Sequence, residues 1–397
     1  MNAQGNIIKL CSLESIALPH ALNGETGDNR SQMTPKIPVN HDLDAIYCWL
    51  SRVNKEQSPH TYRAYKREAE RLLLWSLAKK GKALSSLNTV DLNEYREFLL
   101  DPQPESFWIG PKRPKSAIDW KPFTGPLSTR SVKHTDTIIR NLFGFLTDQH
   151  YLSHNPCSAQ AKVKDGRKSG SIDVNRSLSH SEWEFIKSFL TRKTEKYKNK
   201  EDQKKWCRTQ LIVLFLYATG LRIHEIAKAK LGDIVKKERK NKVQFWLSVV
   251  GKGGIIREVP LPKTTYQLLG ESYLLITGLS FGQVGDEAPI IPSLRGNKHG
   301  ANCIKPLAIH KILKECFDLA AAELIDVDPE AAKKIVQAST HWLRHTHGTH
   351  AVDMDIPLPV IRDNLGHSHI AVTSQYVHAD KDLQHDAFEK LSSSGDT

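Results

Sequence analysis

Four short stretches of this sequence gather side chains that handle phosphate and protons. In ATGLRIHEIAKAKLGDI (residues 218–234), Arg222 stands between a glycine and a new apolar run. An arginine fixed there can grip a phosphate through two parallel N–H donors, or serve as a tie to Glu225 or Asp233. VVGKGGIIREVPL (249–261) places Lys252 at the tip of a glycine-flanked turn. Glycine lets the backbone approach a ligand, and a tip lysine reaches it as a mobile cation and proton donor; surface hairpins also carry lysine with no such role. The spacing is not that of a Walker P-loop. In STHWLRHTHGTH (339–350), His341 and Arg344 are three apart and share a helical face. An imidazole beside a guanidinium suits phosphoryl chemistry, one moving a proton and the other neutralising oxygen charge. Finally, IRDNLGHSHIAVTSQYVH (361–378) carries Gly366 and His367 after a short apolar helix, then Tyr376 nine residues on. Taken alone, a tyrosine there is a packing residue.

His341, His345, His347, His350 and His367 could be mistaken for metal ligands. There is no H-E-x-x-H, and no carboxylate falls between His341 and His350, so neither a metal nor a cofactor is expected. His345, His347 and His350 read as packing or supporting residues.

The elements that must position these groups follow from periodicity. Ser58 then Pro59 is a helix start, and Tyr62, Tyr65, Ala69, Leu72, Leu73 and Leu77 recur at steps of three and four. Asp91 and Glu94 have capping-box spacing ahead of Tyr95, Phe98 and Leu99. After Ser128, the residues Val132, Ile138, Ile139, Leu142, Phe143 and Leu146 repeat helically. Ser179 and Glu182 form a second capping box before Trp183, Phe185 and Ile186. Leu211 to Ala218 is apolar on every side and predicts a buried helix. Val243–Val250 and Ile255–Leu261 predict a hairpin turning at residues 251–254. The fold class is therefore mainly α with a small β-hairpin or sheet.

Four regions follow: a poorly ordered arm over 1–39, a helical domain over 40–155, a basic linker over 156–177, and a second domain over 178–397. Asp101–Pro126 holds six prolines among Trp108, Trp120 and several lysines and arginines. It is a loop whose aromatics either stack on bases or pack on the helices. Thr191–Arg208, with eight Lys/Arg against three Asp/Glu, is a solvated face or a phosphate-contacting one.

Composition narrows the partners. Lys+Arg total 56 and Asp+Glu 44 in 397 residues, a net charge of +12. Such a chain favours polyanions, nucleic acid first. The longest apolar run has eight residues, far short of the ~20 that span a bilayer. The N-terminus lacks the pattern of a secretory signal, and the six scattered cysteines contain no C-x-x-C pair. An intracellular chain with reduced thiols is expected.

In order and spacing, Arg222, Lys252, His341-x-x-Arg344, Leu365-Gly366-His367 and Tyr376 resemble the tyrosine recombinase (phage integrase) family. Trp342 and His347 depart from residues common in that family, though neither is a core catalytic position. The resemblance implies a helical core-binding domain followed by a catalytic domain, and site-specific cleavage and rejoining of double-stranded DNA through a 3′-phosphotyrosyl link, as in DNA integration by a mobile element. Tyr376 would be the nucleophile. Arg222 and Arg344 would clamp the nonbridging oxygens, Lys252 would protonate the leaving 5′-oxygen, His341 would assist proton transfer at the tyrosine and His367 would hydrogen-bond the phosphate. Four protomers would act on two duplexes in the bacterial cytoplasm, with no membrane partner. Thr61, Arg63, Lys66, Arg67, Arg130, Lys133 and Arg257 are candidate DNA contacts. The segment after Tyr376 would either dock on a neighbouring protomer or pack on its own. A type IB topoisomerase-like enzyme, a silent DNA-binding protein and a histidine-ligated metal hydrolase are the rival readings.

Overall fold

A computed structural model describes residues 10–161, 176–196, 199–251, 254–294, 303–367 and 370–376. The chain divides into two units, 1–169 and 170–397, each with its own core.

In the first unit, the Ser58 side chain accepts from the Thr61 amide at 3.2 Å and starts α2 (Pro59–Trp75). This helix packs with α1 (Asp42–Glu56), α3 (Thr89–Leu100) and α5 (Thr129–Asp148). The periodic residues read from the sequence are its interior: Leu72, Leu73, Ile138, Leu142, Phe143 and Leu146 are all fully buried. The capping box of α3 falls one turn earlier than expected. It joins Asn88 to Asp91, with each side chain accepting from the other's backbone amide. Asn88 has the extended backbone a cap needs, while Asp91 already lies within the helix.

The expected N-terminal arm is a correction. From Leu10 onward the segment packs on the unit. Leu13 is buried, and its amide donates to Glu70 Oε1 at 2.8 Å. Asp42, also buried, accepts from the Ser85 amide and the Tyr151 hydroxyl. The signal was invisible because these ties come from scattered polar residues rather than from a repeating apolar face. Residues 1–9 lie outside the described residues. The expected linker also starts late: Arg140 donates to the Cys157 and Gln160 carbonyls and holds the first of its residues on the helical unit. Residues 162–175 are outside the description.

The proline-rich stretch is a packed flap. It contains α4 (Glu105–Trp108), and both Trp108 and Phe123 are buried against Phe98. Lys115 pairs with the buried carboxylate of Glu70, and Arg71 donates to the Pro122 carbonyl. Trp108 is therefore a core residue and not a stacking platform for bases.

In the second unit, α6 (His180–Lys196) opens with the Ser179–Glu182 capping box. The buried α7 (Lys200–Thr219) carries Leu211, Ile212, Val213, Phe215 and Leu216. Fully burying such a side chain stabilises by roughly 1.5–3 kcal/mol, which makes α7 the spine of this unit. After α8 (Ile223–Ile226) comes an antiparallel sheet in the order β1 (Ile234–Arg239), β2 (Lys242–Val250), β3 (Ile256–Leu261). The hairpin expectation holds for β2 and β3, with Leu247 opposite Val259. β1, unexpected, reads IVKKER and has no apolar alternation; it is held by backbone pairing, Ile234 opposite Leu247. The chain continues through α9 (Lys263–Thr277), α10 (Pro306–Leu324), α11 (Pro329–Gln337), α12 (Thr340–Asp353), α13 (Leu358–Leu365) and α14 (Ile370–Thr373) to a single turn, Ser374–Tyr376.

Trp108→Ala should cost about 3–5 kcal/mol of stability, read as a lower urea midpoint of the full chain. An unchanged midpoint with weakened DNA binding would restore the stacking reading.

Candidate active site

Two helix ends meet at Arg344. Gly220 ends α7 at φ +64° and Gly366 ends α13 at φ +63°, conformations that favour glycine. Arg344, buried on α12, donates from Nη1 to the Gly220 carbonyl at 2.7 Å and from Nη2 to the Leu365 carbonyl at 2.5 Å. A guanidinium has five N–H donors, so the others remain free for a ligand. At Gly220 a Cβ would lie 2.7 Å from the His347 ring and 2.8 Å from Leu365, so this corner needs glycine for space as well as for φ.

Arg222 follows Gly220 by two residues and precedes α8. Its Nη1 meets Glu225 Oε1 at 3.1 Å, and its amide donates to Glu225 Oε2 at 2.8 Å. Arg257, from β3, donates to both oxygens of the same carboxylate at 2.9 and 2.8 Å, and to the Asn364 carbonyl. Burial would raise the Glu225 pKa, but the hydrogen bonds from Arg257 and the Arg222 amide outweigh it and hold the carboxylate below its usual range. The structural tie and the phosphate grip are thus compatible for Arg222, whose side chain remains 40% exposed. Arg257 is a correction. It was expected at DNA, but it is largely buried in this ion pair and joins β3 to α8 and α13.

Tyr376 is buried beside α12. Its ring lies 5.7 Å from that of His345 and 6.2 Å from that of His367, the latter nearly parallel. Gly348 makes room for it: a Cβ there would come within 2.9 Å of the phenol ring. Burial raises the Tyr376 pKa against the lowering pull of Arg344 and Arg222. The phenol is therefore protonated at neutral pH and needs a proton acceptor to act as a nucleophile.

The histidines divide by their partners. His367 Nδ1 lies 3.0 Å from Thr373 Oγ1, and desolvation with the charges of Arg344, Arg222 and Arg257 pushes its pKa down to about 4. His341 is solvent-exposed on the face of α12 that bears Arg344; desolvation and the charges of Arg344, Arg222 and Arg176 lower its pKa. His347 and His350 are supports. His347 Nδ1 meets the Tyr217 carbonyl, and its Nε2 meets Asn364 Nδ2. His350 accepts from the Tyr217 hydroxyl and donates to the Leu178 carbonyl. Side-chain atoms of His180, His350 and Asp353 approach within 4.8 Å. With both His350 nitrogens hydrogen-bonded and its ring stacked on His180, this trio ties α6 to α12.

Arg222, His341, Arg344, His367 and Tyr376 thus form one electrostatic neighbourhood, in which their charges act on one another. Lys252 lies outside the described residues. Sequence reasoning named Glu225 as a tie for Arg222 but missed its second partner Arg257, and missed Arg176 as a further positive charge at His341 and His345. The three-residue step from Arg222 to Glu225 was the signal for that tie. In the other unit, Arg63, Arg67, Arg130 and Lys133 are exposed, while Thr61 Oγ1 meets Ser58, Lys66 pairs with Glu14 and Arg67 pairs with Glu68.

Fold and site together resemble the catalytic domain of a tyrosine recombinase. Residues 190–382 match the model of the phage integrase family. That span is most of the second unit. The tyrosine recombinase XerC of Pseudomonas fluorescens strain Pf0-1 is 24% identical over 86% of this chain and 92% of its own length. That of Pseudomonas aeruginosa strain LESB58 is 24% identical over 85% and 90%. Among solved structures, the XerH site-specific recombinase bound to its difH substrate aligns with a TM-score of 0.54 at 16% identity, covering 91% of this chain and 90% of that one. The Tn1549 transposon integrase in complex with transposon right-end DNA aligns with 0.55 at 15%, covering 88% and 99%.

The buried imidazoles set a pH dependence. His345, His347 and His367 stand near 4, below the ordinary 6.5, so the unfolded chain binds protons first as the pH falls. These groups leave stability unchanged above about pH 7.5 and lower it progressively from about 6.5 toward 4. Thermal melts of the full chain across that window should show a falling midpoint; a rise on acidification would contradict the burial.

Proposed function

We infer that this chain cuts and rejoins DNA at defined sites through a covalent bond between Tyr376 and a DNA 3′-phosphate. The observation that carries this reading is a buried phenol stacked beside His367 and within the electrostatic reach of Arg344 and Arg222. The phenolic oxygen attacks the phosphorus, the P–O5′ bond breaks, and a free 5′-hydroxyl leaves. The covalent intermediate keeps the energy of the phosphodiester, so a partner strand's 5′-hydroxyl reverses the step without ATP.

Each residue has a role of its own. Arg344, already fixed by two helix-end carbonyls, directs its remaining donors at the nonbridging oxygens, and Arg222 approaches them with its exposed face. Such preset donors stabilise charge without reorganising. His367 hydrogen-bonds a phosphate oxygen, its ring already steadied by Thr373. His341 assists proton transfer at the tyrosine, and Lys252 protonates the leaving 5′-oxygen. The net charge of +12 supplies salt-sensitive affinity for the backbone. Arg63, Lys66, Arg67, Arg130 and Lys133, with Thr61, are the DNA contacts of the helical unit. Four protomers act on two duplexes in the bacterial cytoplasm, integrating or excising a mobile element, with no membrane partner; among the described residues no helix is long and apolar enough to cross one.

Tyr376→Phe should abolish the covalent adduct on a nicked suicide substrate while duplex binding persists. An undiminished adduct excludes this nucleophile, and supercoil relaxation without any preferred site would favour a topoisomerase. Gly348→Ala should lower the adduct-forming rate at least ~10-fold by displacing the phenol ring, again with binding retained. A wild-type rate would show that the ring position does not limit the chemistry.

A further inference from the structure

The sheet of the second unit has two ends of different character. At one end Ile256 of β3 pairs with Val250, and the next residue, Arg257, reaches Glu225 and the Asn364 carbonyl, so this end meets the site. The other end is the turn from β1 to β2. The nine-residue β2 runs between them, roughly 27 Å at the usual strand rise. At the far turn Arg239, Lys240, Asn241 and Lys242 are all exposed. Other lysines of this unit are held by carboxylates: Lys205 by Glu315, Lys230 by Glu287 and Lys237 by Glu258. Among the described residues, Arg239, Lys240 and Lys242 have no such partner. Arg239 lies over the Trp246 ring, with its guanidinium carbon 5.8 Å from the ring centre.

The fold gives up stability to hold these cations together. Arg239 stands directly opposite Lys242 in the β1–β2 register, where like charges repel. Lys240 and Asn241 between them both have positive φ, 49° and 57°. Turns of this kind favour Asn and Gly, so Lys240 is strained there. Strand alternation puts Arg239 and Lys242 on the sheet face that carries Trp246, and Lys236 and Glu238 on the other. The indole is itself fixed, with Nε1 donating to Gln244 Oε1 at 3.2 Å. A repelling pair and a strained lysine with no carboxylate beside them lack one thing, an anion.

We propose that the β1–β2 turn is a second DNA contact, in which Arg239, Lys240 and Lys242 grip the phosphate backbone of a duplex away from the reacting phosphate. This rests on the reading of the chain as acting on DNA, and not on Tyr376 as nucleophile. The four turn residues offer no apolar anchor, so a protein surface would gain only exposed ion pairs, which are worth little. A duplex supplies a line of phosphates, and each one neutralised releases a counterion. The length of β2 keeps the turn from sharing the phosphate held by Arg222 and Arg344. It therefore holds a separate stretch of backbone and adds affinity that carries no base preference.

The test is fluorescence anisotropy of the full chain on a random-sequence duplex over a series of salt concentrations. The triple variant Arg239→Gln, Lys240→Gln, Lys242→Gln should bind at least ~10-fold more weakly at low salt, and its slope of log affinity against log salt should be shallower by about 0.9 per lost contact. Lys236→Gln removes one charge from the opposite face of the same hairpin and should keep the wild-type slope. Lys240→Gly suits the left-handed turn, so its thermal midpoint should equal or exceed that of wild type while the slope still falls by about 1. This variant carries the test should the triple variant fail to fold. A wild-type slope in the folded triple variant, or in Lys240→Gly, overturns the proposal and leaves an acidic protein surface as the occupant. A loss in Lys236→Gln equal to that in Lys240→Gly also overturns it, since diffuse charge would then account for the binding. Wild-type protein that shows the full slope but forms no covalent adduct overturns the nucleophile reading and leaves this contact standing.

Discussion

The site depends on one buried arginine. Arg344 donates to the Gly220 and Leu365 carbonyls, and these close two different helices, α7 and α13. Helix C-termini carry partial negative charge and unsatisfied carbonyls, so a guanidinium between two of them is stabilised twice and fixed in orientation. The same contacts fix the loop that begins with Arg222 and the turn that bears His367, because each starts at one of those helix ends. An Arg344→Lys exchange keeps the charge but loses the planar fork that spans both carbonyls. The tie is therefore one of geometry, and charge alone would not reproduce it.

Around this tie the protein accumulates positive charge in a partly desolvated place. Arg222, Arg257 and Arg344 sit near one another with Arg176, against the single buried carboxylate of Glu225. Burial and mutual repulsion pull Arg344 down to about 10, still charged at neutral pH. They also hold the neighbouring imidazoles neutral. A phosphate relieves this repulsion, so substrate binding and completion of the electrostatic network are the same event.

Much of this was legible in the sequence, for identifiable reasons. The apolar repeat of α5, the all-round apolarity of Leu211–Ala218 and the hairpin of β2 and β3 are period signals, and each became a buried element. Arg222, His341, Arg344, His367 and Tyr376 were named from order and spacing, and each sits at a helix end, on a helix face or on a short turn. What escaped was polar and non-periodic. The packing of residues 10–40 relies on single bonds such as Leu13 to Glu70, the flap over 101–126 closes through Lys115 and Arg71, and β1 pairs by backbone. Arg257 misled because a basic residue beside a glycine-rich turn looks the same whether it faces a phosphate or a buried carboxylate.

The placement of Tyr376 follows from the same logic. Tyr376 lies on a single turn after the four-residue α14, too short to hold itself by helical hydrogen bonding. Its position must come from packing, and the contacts supply it: the open surface of Gly348 beneath the ring, His345 on one side and His367 along the face. Two of these three contacts are side chains of α12, the helix that carries His341 and Arg344. One rigid element thereby registers the phenol against the groups that bind its target.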